Sequence, residues 1–173
     1  MRLLALDLSL TGTGWATSLD EYGTHSTSTK GVERLHELYL WLMDLTWSDT
    51  RDDLGVDLAL IEGYAYGKGN QAHQVGEWGG VARFTLYRIG LPFVEVPPAV
   101  LKKFATGKGN APKPDMRMEL YKRSGLDVAD DNTVDALWLL ALGRQLIGDP
   151  LWDMPKANRE ALAKVELPEG VGT

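Results

Sequence analysis

The chain has 173 residues, of which 44% are hydrophobic and 24% are charged, and its formal net charge is -6. This length and composition are typical of one globular domain, and no apolar run reaches the ~20 residues that a membrane span needs. The lack of cysteine excludes disulfides and thiolate chemistry, and the N-terminus shows no secretory pattern, so we expect a cytoplasmic protein without membrane attachment.

The first apolar segment carries a carboxylate. Residues 2–16 predict a buried strand, a hairpin of Ser, Thr and Gly residues, and a second strand. Asp7 lies inside the first strand, where an unpaired carboxylate is costly to desolvate. A bound divalent metal would offset that cost, and the simpler alternative is that Asp7 caps the following turn.

The rest of the chain predicts an alternation of helices and strands. Strands are predicted over 25–30, 56–62 and 91–96, and helices over 32–47, 71–89, 99–105, 115–124 and 133–146. We therefore expect an α/β fold whose mixed central sheet has three antiparallel strands followed by parallel strands, flanked by helices. Residues 1–149 are expected to form the domain, and residues 150–173 a loosely attached, proline-rich tail with one helical segment.

Carboxylates stand at the ends of several predicted elements. They are Asp7, Glu62 at the end of the fourth strand, and Asp130, Asp131 and Asp135 around the start of the last helix. A helical crossover should place the first and fourth strands side by side. On the helix, Asp131 and Asn132 precede Asp135 by four and three residues and share its face. Carboxylates gathered in this way suit Mg²⁺ or Mn²⁺, and two such ions ~3.5–4 Å apart can drive phosphodiester hydrolysis.

Basic residues are concentrated in one stretch of this acidic chain. Between Leu101 and Gly125 there are seven of them against two acidic residues. They are Lys102, Lys103, Lys108, Lys113, Arg117, Lys122 and Arg123, hereafter the basic strip. The basic strip is a candidate phosphate-binding surface, and the alternative is a solvated helix face.

The ordered set of motifs resembles the RuvC-type Holliday junction resolvases, in the form found in bacteriophages. The similar segments follow the family order over residues 2–146 and are 7–15, 61–62, 96–98, 106–113 and 131–137. The resemblance implies an RNase H-like fold and a nuclease site holding Mg²⁺ or Mn²⁺, with two ions expected. It also implies symmetrical nicking of four-way DNA junctions by a homodimer, in the bacterial host cytoplasm if the protein is phage-encoded.

The resemblance assigns roles to individual residues. Asp7, Glu62 and Asp135 match the metal carboxylates of the family. The chain departs from the family at the fourth ligand, because Asn132 stands where an Asp or His is usual, three residues before the last Asp. Asp131 is the expected substitute, and Asn132 could still ligate through its carbonyl oxygen.

The remaining roles concern DNA. Lys113 matches a lysine that the family places near the scissile phosphate, and we expect it to be catalytic together with the carboxylates. The family also carries an aromatic residue that opens the junction centre. The equivalent position in this chain is near Ala65. Either Tyr64 or Tyr66 therefore takes this role, or the chain lacks such an aromatic residue. The expected DNA-binding residues are Tyr64, Tyr66, Lys102, Lys103, Lys108, Lys113 and Arg117.

Other functions fit the sequence less well. The loop over 106–113 lacks the glycine and lysine order of a P-loop, which argues against nucleotide binding there. The first hairpin also resembles that of actin-like and sugar-kinase ATPases, but those proteins need a duplicated domain and a second phosphate loop. A catalytically inactive junction-binding protein is the third reading, and the retained acidic positions argue against it.

Overall fold

The computed structural model describes residues 1–48, 53–63 and 72–171. Tyr64 and Tyr66 lie outside these residues, so the base-stacking role expected of them stays a prediction. Among the described residues, none of the helices has the length and apolar character required to span a bilayer.

A mixed five-stranded sheet forms the centre of the structure. The strands in chain order are β1 (Leu3–Asp7), β2 (Thr13–Ala16), β3 (Tyr22–His25), the short pair β4 (Trp47–Ser48) and β5 (Asp53–Leu54), β6 (Leu58–Glu62) and β7 (Phe93–Val96). The main sheet has the order β3-β2-β1-β6-β7. The pairs β1–β2 and β2–β3 are antiparallel, whereas β1–β6 and β6–β7 are parallel. The predicted mixed sheet is confirmed.

Helices cover both faces of this sheet. They are α1 (Gly31–Thr46), α2 (Ala72–Arg88), α3 (Pro98–Thr106), α4 (Lys113–Ser124), α5 (Asp131–Leu146) and α6 (Lys156–Arg159), followed by a 3₁₀ turn over Glu160–Lys164. Leu4 and Leu6 of β1 pack with α1 and α2, whereas Leu3 and Ala5 pack with α3, α4 and α5. Because both faces are covered, β1 is apolar at successive positions instead of alternating with polar residues.

The third strand lies earlier than the sequence predicts. Strand β3 ends at His25, the residue at which the predicted strand over 25–30 begins. The tight connection after β2, in which the amides of Thr17 and Ser18 donate to the carbonyl of Glu21, brings β3 directly against β2. Thr27, in the predicted segment, instead hydrogen-bonds to the Glu37 carboxylate of α1.

The C-terminal segment packs against the core through its described residues. Met154, Ala161 and Val165 are buried in the same cluster as α5. The Trp152 ring meets the Trp138 ring edge-on, with centroids 5.6 Å apart. This packing differs from the predicted loose tail, because proline ends helices without preventing the side chains between them from being buried.

Candidate active site

Three carboxylates converge at the carboxyl edge of the sheet. Asp7 ends β1 and Glu62 ends β6, and these strands are parallel neighbours with Leu6 opposite Ile61. Asp135 comes from α5, which packs across β1 and β2. One carboxylate oxygen from each of the three lies within 4.8 Å of the others. The sheet register and one buried helix therefore bring together residues up to 128 positions apart in the chain.

These carboxylates, hereafter the acidic cluster, are largely withdrawn from solvent. Asp7 is 7% exposed and Asp135 is 1% exposed. Burial, and after it the charge of Glu62, raises the pKa of Asp7 well above its usual range. Asp135 Oδ1 is buried and has no hydrogen-bond partner among the described residues. A hard divalent cation prefers oxygen ligands of this kind, so the residues present fit such an ion.

Contacts between the hairpin and the start of α5 position Asp135. The Asp130 carboxylate caps the helix, accepting from the Thr133 amide at 2.8 Å and from the Thr24 hydroxyl at 2.6 Å. The Asn132 side-chain amide donates to the Gly12 carbonyl at 2.8 Å. These bonds tie the first turn of α5 to β3 and to the loop before β2, which holds Asp135 at a set position relative to β1.

The structure does not bring Asp131 into the acidic cluster. Its side chain is 49% exposed, and its carboxylate pairs with the Arg117 guanidinium at 2.9 Å. Asn132 lies at the hairpin, where its amide nitrogen binds Gly12. The fourth ligand expected from the sequence, at Asp131 or Asn132, therefore stays a prediction.

Lys113 lies at the border of the acidic cluster. It begins α4, and its ammonium group pairs with Asp135 Oδ2. The Lys113 side chain remains 38% exposed. A partly exposed cation is thus paired with a buried carboxylate of the acidic cluster.

The rest of the basic strip divides into paired and unpaired side chains. Arg117 pairs with Asp131, and Lys122 and Arg123 pair with Glu119 of the same helix at 2.7 and 3.7 Å. Within the described part of the chain, no ion pair involves the side chains of Lys102, Lys103 or Lys108. These three lie on α3 and in the loop that follows it.

A cleft of about 310 Å³ opens beside Asp7 and Glu62. Val75, Gly79 and Arg83 of α2 form its opposite wall. The Arg83 guanidinium binds the Glu95 carboxylate at 2.7 Å, and this hydrogen bond lowers the pKa of Glu95. Arg83 is not among the site residues predicted from the sequence. The sequence does place Val75, Gly79 and Arg83 at four-residue spacing, so that they share one face of α2.

Curated relatives of this chain are crossover junction endodeoxyribonucleases. The RuvC proteins of Synechococcus strains CC9311 and WH7803 are 33% and 32% identical to it over 89 residues, or 50% of the chain. These alignments span only 56% and 58% of those two relatives. RuvC of Chloroflexus aggregans is 30% identical over 150 residues, which cover 79% of this chain and 88% of the relative. The sequence matches no protein-family model.

Solved structures show the same fold. Thermus thermophilus RuvC in complex with a Holliday junction substrate superposes with a TM-score of 0.69 at 18% identity, over 86% of this chain and 97% of that one. A second Thermus thermophilus RuvC structure gives 0.65 at 18% identity, over 86% and 98%. The predicted RNase H-like fold is confirmed. The extended similarity to the Chloroflexus protein shows that this chain belongs to the RuvC family of crossover junction endodeoxyribonucleases.

Proposed function

We propose that this protein is a divalent-metal-dependent endonuclease that resolves Holliday junctions and related branched DNA by nicking phosphodiester bonds. The observation that carries the proposal is the convergence of Asp7, Glu62 and Asp135 on one buried site, where one oxygen of Asp135 has no hydrogen-bond partner among the described residues. This convergence occurs in a chain of the RuvC family, whose named activity is the cleavage of crossover junctions.

The acidic cluster would hold Mg²⁺ or Mn²⁺, and we propose two ions per site. Held by Asp7, Glu62 and Asp135, such ions would supply activation of a water molecule and stabilisation of negative charge on the leaving oxygen. The three carboxylates supply the negative charge that would hold the cations. The packing of α5 on β1 sets the distance between Asp135 and Asp7. We propose that Lys113, which pairs with Asp135, donates to a phosphate oxygen and stabilises the negative charge that develops in the transition state.

DNA would reach this site along the basic strip. Lys102, Lys103 and Lys108 are the best candidates for neutralising phosphates, because the described residues offer them no carboxylate partner. Arg117 would have to exchange Asp131 for a phosphate. We keep Tyr64 and Tyr66 as proposed base-stacking residues, because they follow Glu62 closely in the sequence.

We propose that the active form is a homodimer. A four-way junction cut symmetrically needs two equivalent active sites, and a two-fold dimer supplies them with one kind of interface. Light scattering of the purified protein would measure its mass in solution. The proposed substrate also places the protein with DNA in the bacterial cytoplasm, which is the host's cytoplasm if the chain is phage-encoded.

A cleavage assay tests the function directly. The protein is incubated with a synthetic four-way junction, a matched duplex and a Y-shaped fork, with Mg²⁺ or with EDTA. We expect paired nicks in the junction that depend on Mg²⁺, and little cutting of the duplex. Binding of the junction without nicking in Mg²⁺ or Mn²⁺ would support the inactive junction-binding alternative, and equal cutting of junction and duplex would refute structure selectivity.

A further inference from the structure

A second cavity, of about 550 Å³, adjoins the proposed active site. It is lined by Lys113, Pro114, Arg117, Met118, Tyr121, Asp127 and Asp131. Lys113 belongs to both places, since it lines this cavity and pairs with Asp135 of the acidic cluster. A DNA strand with a phosphate at Lys113 would therefore have its neighbouring sugar and base beside the cavity.

One face of α4 forms most of the wall of the cavity. Residues 113, 114, 117, 118 and 121 recur at one-turn spacing, whereas Met116 and Leu120 of the same helix are buried in the core. Met118 is 54% exposed and Tyr121 is 53% exposed. An exposed aromatic ring that lines the same cavity as Lys113 is a surface on which a base can stack.

The polar rim of the cavity contains both donors and acceptors. Arg117 binds the Asp131 carboxylate and the Ala129 carbonyl. The Asp127 carboxylate has neither an ion pair nor a side-chain hydrogen bond with any residue in the described part of the chain. The charges of Asp127 and Asp131 balance those of Lys113 and Arg117, so the cavity as a whole does not attract a phosphate group. The edges of nucleobases, which offer donors and acceptors side by side, do fit it.

We propose that this cavity receives one nucleobase of the DNA strand next to the scissile phosphate, stacked on Tyr121 and Met118. The proposal rests on the proposed nuclease function and adds to it a pocket that positions the strand. The volume of about 550 Å³ lies within the usual range for pockets that bind small molecules. Tyr121 and Met118 are positioning residues here, because neither belongs to the acidic cluster.

An abasic scan combined with Tyr121→Ala tests the pocket. Four-way junctions are made with one base removed at each position around the nick, and single-turnover cleavage is measured at saturating protein in Mg²⁺. For the wild-type protein we expect one position where losing the base slows cleavage roughly tenfold, as for a lost base–aromatic stack. Tyr121→Ala should be slower on the intact junction and should show no further loss at that position.

Two further variants make the result specific. Met118→Ala should reproduce the pattern in weaker form. Tyr39→Ala, which removes an exposed tyrosine from α1, should keep the wild-type abasic profile. The inference is overturned if the penalties of Tyr121→Ala and of base removal multiply at every position. It is also overturned if Tyr121→Ala changes the mass of the protein in solution, which would assign this face to a protein contact.

The two proposals fail in different ways. Mg²⁺-dependent nicking of the intact junction upholds the nuclease function whatever the abasic scan shows. If such nicking is seen but no abasic position slows cleavage, the base-binding pocket alone is refuted. If the wild-type protein does not nick the junction, both the proposed function and the pocket that depends on it are refuted.

Discussion

Gly14 and Asn132 are in direct contact, and no side chain fits between them. A Cβ atom on Gly14 would lie 2.0 Å from the carbonyl oxygen of Asn132. Gly14 pairs with Asp7 in the register of β1 and β2, and Asn132 lies one turn before Asp135. This close approach of α5 to the hairpin therefore sets the separation between two carboxylates of the acidic cluster.

Gly14→Ala should disturb both the fold and the site. The added methyl group meets backbone atoms, which cannot rotate away as a flexible side chain could, so α5 must move from the sheet. We expect a loss of about 1–3 kcal/mol in the free energy of unfolding and weaker Mg²⁺ binding. Thermal unfolding with and without Mg²⁺ measures both effects.

Gly80→Ala is the matched control for this substitution. Apart from its own stretch of helix, a Cβ atom on Gly80 would meet no atom of the described residues within 4 Å. Alanine is also the better helix former, so the variant should be at least as stable as wild type. Equal stability of Gly14→Ala and wild type would show that α5 is not held in place by this contact.

Asp7→Asn should abolish metal-dependent cleavage and raise stability without metal. Burial and the nearby Glu62 raise the pKa of Asp7, so its charge opposes folding at neutral pH. Removing that charge should raise the Tm in EDTA by about 2–4 °C, the shift that ~1 kcal/mol produces at this chain length. Mg²⁺ should raise the Tm of wild type and have a smaller effect on the variant.

The pH dependence of this difference follows from the direction of the shift. A carboxyl whose pKa is raised by folding destabilises the native state once pH exceeds its unfolded pKa. The advantage of Asp7→Asn in EDTA should therefore be greatest at neutral pH and should vanish on acidification below the ordinary aspartate pKa. Calorimetry at several pH values would measure it, and an advantage that grew in acid would contradict this account.

Lys113→Ala and Lys103→Ala should have opposite kinetic effects. Lys113 borders the acidic cluster, so its loss should slow cleavage of bound junction by about 100-fold while affecting affinity less. Lys103→Ala should weaken binding and reduce the salt dependence of binding by about one unit of slope. Single-turnover rates at saturating protein separate the two. A wild-type rate for bound Lys113→Ala would reduce Lys113 to a phosphate contact.

Asp131→Asn and Asn132→Ala test the fourth metal ligand. Because the Asp131 carboxylate is half-exposed and pairs with Arg117, we expect its amide to change Mg²⁺ affinity only slightly. Asp135→Asn, by contrast, should lose Mg²⁺ binding. Metal titrations followed by Tm compare the three variants. A large loss of Mg²⁺ affinity in Asp131→Asn would mean that the Asp131 side chain leaves Arg117 and binds the metal, as the sequence predicts. A large loss of Mg²⁺ affinity in Asn132→Ala alone would favour the Asn132 amide as the fourth ligand.

Much of the fold and the main carboxylates could be predicted from the sequence. The apolar runs ending at Asp7 and Glu62 predict adjacent buried strands, and the Asp130 cap signal predicts the start of α5. These features depend on the local pattern of apolar residues and on the order of elements along the chain. Both the apolar pattern and the order of elements can be observed in the sequence itself. Because crossovers between parallel strands are short and right-handed, the order of elements also predicts which strands are neighbours.

Only the tertiary structure decided which polar side chains meet. Asp131 and Asp135 share a helix face by spacing, yet Asp135 enters the acidic cluster and Asp131 turns to Arg117. The choice depends on where α4 and the hairpin pack against α5, which no local pattern encodes. The same is true of Arg83 beside the cleft and of the packed C-terminal segment, because contacts between distant elements are set by complementary shape and by the pairing of buried charge.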